Sequence, residues 1–314
     1  MNRILEPSEI QALDHSAFPR VRLPQRAEVF MARAKRLRAL ATEGHLIRDY
    51  LLLMANLADA QHEALAQLSR PLLTPLAAYG DVTLQSAPAG AVHSSSRDPA
   101  WRGVLEYLLS RLEITCSTHD QLASACARLR ALDATSLERE AELLLTPGGK
   151  AFDNLSAPLI AAALQVIWTD AASRLKPSQV PYPDAPGICP VCGTHALASV
   201  VRAGGAEDGY RYLACGLCAT ETHVVRVKCT HCDSTKGIAY QMIEGQSDWA
   251  KAESCDECGT YRKIFYQSRQ LEVEPFADDL ATLALDLLMN DAGYLRPVPH
   301  PWLWPAGSNE ALAS

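Results

Sequence analysis

Cys189-Pro-Val-Cys192-Gly193, Cys215-Gly-Leu-Cys218-Ala219, Cys229-Thr-His-Cys232-Asp233 and Cys255-Asp-Glu-Cys258-Gly259 are the stretches that decide the architecture. They hold eight of the ten cysteines, and adding 40 to the numbers of the first two pairs gives the second two. Two units therefore share the pattern Cys-x2-Cys-x22-Cys-x2-Cys, joined by ten residues. Each offers four soft sulfur ligands, the set that a closed tetrahedral zinc or iron site requires. Duplication copies a self-contained site. The expected scheme is thus one metal on Cys189, Cys192, Cys215 and Cys218, and another on Cys229, Cys232, Cys255 and Cys258. An interleaved scheme, with Cys215 and Cys218 sharing a metal with Cys229 and Cys232, is the rival.

Two other uses of paired cysteines fit less well. Met1-Asn2-Arg3 leads into the polar Glu6-Pro7-Ser8-Glu9, which reads as no secretory leader, so a reducing cytosol is expected and structural disulfides are not. A thioredoxin-type dithiol opens a helix inside a βαβ unit, whereas these flanks read as strands and tight turns. Cys116 and Cys126 lie in helical sequence and read as core residues. Gly193, Ala219, Asp233 and Gly259 each follow a pair, where a turn around a metal calls for positive φ; Ala219 is the least suited of the four. Between the pairs lie β-prone runs, Ala198 to Arg202 and Gly237 to Ile243, with turns at Gly204-Gly205 and Gly245. Each unit reads as a small β-hairpin ribbon whose core is a metal. A module of that size cannot fold on apolar burial alone, so loss of one ligand is expected to unfold a ribbon and spare the rest.

The rest of the chain reads as α-helical, making an α+β multidomain protein. Residues 1–176 are rich in Ala and Leu at helical spacing, with helices at Gln25 to Thr42, His45 to Leu68, Trp101 to Leu112, His119 to Leu132, Ser136 to Leu145 and Ala157 to Arg174. In the second of these, Leu46, Tyr50, Leu53, Leu57, Ala60 and Ala64 mark the apolar face; Gly90 to Asp98 reads as an exposed loop. A Pro-rich linker (177–187) leads into the first four-cysteine module (188–227), the second (228–270) and a C-terminal helix with a Pro/Trp tail (271–314). That helix should bury Phe276, Leu280, Leu283, Ala284, Leu287 and Leu288 and end at Gly293. Trp302 and Trp304 either pack back on the body or form a docking surface. The longest apolar run, Ala157 to Trp168, is too short to span a bilayer, so no membrane insertion is expected.

Charge separates the function classes. Residues 187–268 carry eight Lys or Arg against nine Asp or Glu, and two tetrathiolate sites would add about -4. A nucleic-acid module presents a basic surface to phosphates, so no nucleic-acid partner is expected. A basic cluster (Arg20, Arg22, Arg26, Arg33, Lys35, Arg36 and Arg38) reads either as a solvated helix face or as a site for an acidic partner. His195, His223 and His231 sit near cysteines, but four sulfurs already close each site, and no catalytic set is evident. An electron carrier fits the metal chemistry but has no use for so large a helical region.

Cys189-Pro-Val-Cys192-Gly, Tyr212-Leu-Ala-Cys215-Gly-Leu-Cys218, His223-Val-Val-Arg-Val-Lys-Cys229 and Lys251-Ala-Glu-Ser-Cys255-Asp-Glu-Cys258-Gly-Thr-Tyr resemble the FdhE formate dehydrogenase accessory proteins. The resemblance extends through Val273-Glu-Pro-Phe-Ala-Asp-Asp-Leu-Ala to the tail and back to Arg33-Ala-Lys-Arg-Leu and His45-Leu-Ile-Arg-Asp-Tyr50-Leu. Thr222 departs from it, standing where the family has an aromatic residue. The resemblance implies a cytoplasmic, non-enzymatic helper that binds the catalytic subunit of a respiratory formate dehydrogenase and is needed for its maturation. It also implies rubredoxin-like modules holding two iron ions, with zinc able to take their place, each coordinated by four cysteines.

Overall fold

The computed structural model describes residues 18–68, 98–116, 119–146, 154–183, 185–245 and 248–303. Seven α-helices precede the cysteine region among these residues: α1 (Val29–Leu40), α2 (Arg48–Gln67), α3 (Ala100–Arg111), α4 (Glu113–Cys116), α5 (Asp120–Ala131), α6 (Ala134–Leu145) and α7 (Ala157–Ser173). Most of the loop expected at Gly90 to Asp98, and Trp304, lie outside the described residues, as does the side chain of Cys116; Cys126 is buried in the core.

α7 is the centre of the bundle. Its sequence is apolar but for Gln165, Thr169, Asp170 and the terminal Ser173, and all but two of its residues are buried, as suits a helix enclosed on every side. α2 packs against α1, α3 and α7, so it needs more than one apolar face. The expected face holds at Leu57, Ala60 and Ala64, but Leu51, Met54, Ala55 and Ala58 are buried as well. Leu46 precedes the helix and is exposed. α1 starts four residues later than expected, because Arg26 to Glu28 form a turn closed by Glu28 N–H donating to Gln25 O at 2.9 Å.

The two cysteine units do not stand as separate ribbons. Each is a three-stranded antiparallel meander: β2 (Ala196–Val201), β3 (Arg211–Cys215) and β4 (Glu221–Val224), then β5 (Ile238–Gln241), β6 (Ala250–Cys255) and β7 (Thr260–Tyr266). A parallel pairing of β2 with β7 fuses them, and β1 (Val21–Arg22) adds to the outer edge of β4. The result is one seven-stranded sheet in the order β1-β4-β3-β2-β7-β6-β5. Thr222 lies in β4 opposite Val21, in a strand pairing and not at a cysteine.

After the sheet come α8 (Pro275–Ala281) and α9 (Leu283–Asp291), where one helix was expected. Glu274 starts α8: its carboxylate accepts from Ala277 N–H at 2.6 Å, and Asp278 accepts from Glu274 N–H at 2.7 Å. The break falls at Thr282, whose hydroxyl donates back to Asp278 O at 2.8 Å. Lys263 of β7 reaches the freed end of α8, donating to Asp279 O at 2.6 Å, and also meets Asp286 of α9 at 2.5 Å. The break shifts the helical phase, so Leu285 and Met289 are buried while Leu287 and Leu288 are exposed. Trp302 packs back on the body, fully buried edge-on to Phe276, with its carbonyl accepting from the Tyr50 hydroxyl.

The basic cluster divides: Lys35 and Arg38 are exposed, as a solvated face requires, whereas Arg33 and Arg36 are buried. Its acidic partners belong to the same chain. Arg22 pairs with Glu207 and Glu221, Arg26 with Asp170, Arg33 with Glu274, Lys35 with Glu272, Arg36 with Asp278 and Arg38 with Asp59. Three of these pairs join α1 to α8 and the residues just before it, and the Arg36–Asp278 pair is almost wholly removed from solvent.

Candidate metal centres

The eight sulfurs gather into two groups: Cys189, Cys192, Cys215 and Cys218, and Cys229, Cys232, Cys255 and Cys258. Within each group the sulfurs lie within 4.8 Å of one another. No group of potential ligands among the described residues mixes the two units or includes a histidine. Close sulfur pairs are Cys189–Cys218 at 3.6 Å and Cys192–Cys215 at 3.4 Å, then Cys229–Cys258 at 3.8 Å and Cys232–Cys255 at 3.7 Å. A tetrahedron of thiolates about 2.3 Å from a central ion has edges of roughly 3.8 Å. The spacing suits such a site and is far beyond a disulfide bond of about 2.05 Å.

Local sequence builds each corner. The residue after each pair adopts positive φ: 80° at Gly193, 58° at Ala219, 68° at Asp233 and 66° at Gly259. Ala219 and Asp233 are the only non-glycine residues in that region among the described ones. The turns close by amide bonds such as Gly193 N–H to Cys189 O at 2.9 Å and Asp233 N–H to Cys229 O at 3.0 Å. Other amides point at sulfur: Leu217 and Cys218 at Cys215 Sγ, both at 3.4 Å, and His231 at Cys229 Sγ at 3.4 Å.

A second element went unread in the sequence. A hydroxyl residue stands two places after the second cysteine of every pair: Thr194, Thr220, Ser234 and Thr260. The three threonine hydroxyls lie 3.1–3.2 Å from Cys192, Cys218 and Cys258 Sγ. Fourfold recurrence at one offset was the available signal. Arg262 was also missed. Buried between the units, it donates from Nε to Thr230 Oγ1 at 2.8 Å and from Nη1 to Ala196 O. Its guanidinium thus ties Thr230, the residue after Cys229, to the first residue of β2. Gly187 lets the first unit approach there, since a Cβ at that residue (φ 75°) would lie 2.4 Å from Thr230 O. Arg211 and Glu253 form a further buried pair at 2.7 Å, tying β3 to β6.

The two sites share a pattern and differ in surroundings. All four cysteines of the first are buried and belong to the core shared with the helices. The carbonyl of Gly216, inside the second knuckle of that site, accepts from Gln165 of α7 at 2.6 Å, and Gln61 of α2 donates to Gln165 at 3.0 Å. In the second site Cys229 and Cys255 are buried, Cys258 is half-buried and Cys232 is exposed. Burial pushes the Cys189 and Cys218 thiols well above their ordinary range. Hydrogen bonds from Cys189, Cys192 and Cys218 pull Cys215 well below it. Burial also pushes Cys255 up to about 12. Packed sulfurs in a dry site cannot all carry charge unless a cation is among them. A metal supplies that cation, so the donor set fits a thiolate-bound ion with no coordination position left open.

Three family models match in succession: "FdhE, N-terminal" over residues 18–184, "FdhE, central domain" over 188–226 and "FdhE, C-terminal domain" over 227–303. The chain belongs to the FdhE family. A protein FdhE homolog of Edwardsiella ictaluri is 38% identical over 285 residues, covering 90% of this chain and 91% of that protein. The protein FdhE of Salmonella dublin is 37% identical over 292 residues, covering 91% and 92%. The crystal structure of the FdhE protein from Pseudomonas aeruginosa superposes with a TM-score of 0.75 at 32% identity, over 92% of this chain and 100% of that one. The FdhE architecture seen here is therefore a bundle of helices joined to a sheet that carries two four-cysteine groups. No described helix is long and apolar enough to cross a membrane.

Proposed function

We propose that this FdhE-family protein is a cytoplasmic, non-enzymatic accessory factor that binds the catalytic subunit of a respiratory formate dehydrogenase and is required for that subunit to become active. Family membership along nearly the whole chain carries the reading. The closed four-sulfur groups support it, because a metal held by four cysteines offers no open position to a substrate. The ligands proposed are Cys189, Cys192, Cys215 and Cys218 for one ion and Cys229, Cys232, Cys255 and Cys258 for the other. Iron in rubredoxin-like coordination is the proposed native metal, with zinc able to enter the same thiolate sites. When bound, iron adds one-electron redox chemistry.

One observation favours a second reading, that of an electron carrier. Cys232 brings the second site to the surface, where electron transfer to a partner is feasible. Deleting the gene, in a strain without a paralogue, separates the two. The accessory reading predicts that the dehydrogenase polypeptide accumulates at its normal level but lacks formate-oxidising activity, even with an artificial electron acceptor. Normal activity with the artificial acceptor would overturn that reading and favour the carrier.

A further inference from the structure

The outer edge of β5 is the place in the fold where, among the described residues, internal repetition leaves a position unfilled. Within the first unit, β2 has two neighbours: β3 on one side and, in parallel, β7 on the other, with Ser199 opposite Ile264 and Val201 opposite Tyr266. β5 is the counterpart of β2 in the second unit. It has β6 on one side and, among the described residues, no strand on the other. The middle strands fix the correspondence. Leu213 faces Ser199, and Glu253, forty residues on, faces Tyr240. Tyr240 thus stands where Ser199 does, and Met242 where Val201 does.

The backbone of β5 is set to accept a strand there. Asp256 N–H donates to Gly237 O at 2.9 Å, which makes Gly237–Asp256 a hydrogen-bonded rung of the β5–β6 ladder. Rungs alternate in an antiparallel pair, so Ala239 and Gln241 also bond inward, and the N–H and C=O groups of Ile238, Tyr240 and Met242 face outward. The counterpart of that outer edge is in use, since Val201 O accepts from Gln267 N–H at 2.9 Å. Tyr240 and Met242, both outward residues of this edge, have exposed side chains. The Tyr240 hydroxyl donates to Glu253 of β6 at 2.8 Å and lies 3.3 Å from Arg226 O, so the Tyr240 side chain folds back over the sheet and leaves the backbone edge of β5 uncovered by it.

We infer that the β5 edge binds an extended segment of the client protein, added as a strand parallel to β5. The inference rests on the accessory reading and names how its partner is held. The segment filling the counterpart position, β7, presents Ile264, Phe265 and Tyr266, so the incoming strand should carry β-branched and aromatic residues. A second copy of this chain does not supply it. In the repeat's arrangement a copy would have to offer the outer edge of β4 or β7; β1 covers the first and β2 the second. A twofold β5–β5 pairing would be antiparallel, unlike the parallel contact that the repeat specifies. β1 thus ends the sheet on one side, and among the described residues no strand covers β5 on the other.

Hydrogen–deuterium exchange on the metal-loaded protein, alone and with a formate dehydrogenase catalytic subunit, tests this at single-residue resolution. Complex formation should protect the outward amides of Ile238, Tyr240 and Met242, while those of Ala239 and Gln241, already bonded to β6, change little. Met242→Pro removes an outward amide beyond the last β6 rung, so it should weaken capture of the subunit by about tenfold or more while metal content stays unchanged. Met242→Ala keeps the amide and should weaken it far less. A complex that forms without protection at these amides, or that tolerates Met242→Pro, overturns strand addition and leaves the accessory reading standing. Absence of any complex with the unaltered protein overturns both. Protection in the free protein that grows with its own concentration would assign the edge to a second copy and overturn the proposal.

Discussion

Replacing Cys215 by serine is expected to abolish the first metal and the cooperative fold with it, whereas Cys232→Ser is expected to lose only the second metal. Structural zinc binding in small modules is worth about 10–16 kcal/mol, comparable with the ~5–15 kcal/mol that holds a whole domain together. What differs between the two sites is what rests on them. Cys215 is buried in a core shared with α2 and α7, and the next residue's carbonyl is held by Gln165. A first site without its ion leaves three buried sulfurs, a misfitting hydroxyl and an unsupported knuckle beneath the bundle. The expectation that the helices would survive loss of this site is therefore reversed. Cys232 is exposed, at the far end of the sheet from β1. Far-UV circular dichroism with metal analysis checks both variants. Cys215→Ser should be insoluble or melt without a cooperative transition, and Cys232→Ser should keep its helical signal with one ion per chain. Equal behaviour of the two variants would contradict this asymmetry.

Asp278→Ala should destabilise the metal-loaded protein by about 3–5 kcal/mol, the usual consequence of leaving one member of a buried ion pair without the other. Asp278 is fully buried, takes two bonds from Arg36 at 2.9 and 2.7 Å, and accepts the Glu274 amide at the start of α8. Burial pushes its carboxyl up to about 7 despite that partner, so the pair is held against a considerable desolvation cost. The double variant Arg36→Met with Asp278→Leu removes both charges and should recover much of the loss. Urea unfolding at constant metal content measures all three proteins. A loss below ~1 kcal/mol for Asp278→Ala would show that the pair is not what seats α8 on α1.

The cysteine groups were legible because their information is local and repeated. Ligand type, spacing and the positive-φ residue after each pair all lie within a few positions of one another. The fusion of two ribbons into one sheet was not legible, since β2 and β7 meet across more than sixty residues through bonds that any backbone can make. The burial of Arg33 and Arg36 within the basic cluster was not legible for a related reason. Arg33, Lys35 and Arg36 meet Glu274, Glu272 and Asp278, about 240 residues away, and nothing in a run of like charges says where its counterions lie. Residues 271–314 carry seven Asp or Glu against Arg296 alone, but the pairing of that excess with α1 depends on packing that only the folded chain reveals. The C-terminal helix shows the limit of periodicity. Phe276 and Leu280 kept the expected face, and the bond from Thr282 to the previous turn shifted every later position. Leu287 and Leu288 point out for that reason.

The most direct test of two separate four-cysteine metal centres in one sheet is native mass spectrometry of protein purified without oxygen, taken alongside Cys232→Ser. Two ions are expected on the unaltered chain and a single remaining ion in the soluble Cys232→Ser variant, with no disulfide mass loss. A chain carrying one ion, or none and four disulfides, would contradict this, as would loss of both ions on replacing Cys232 alone.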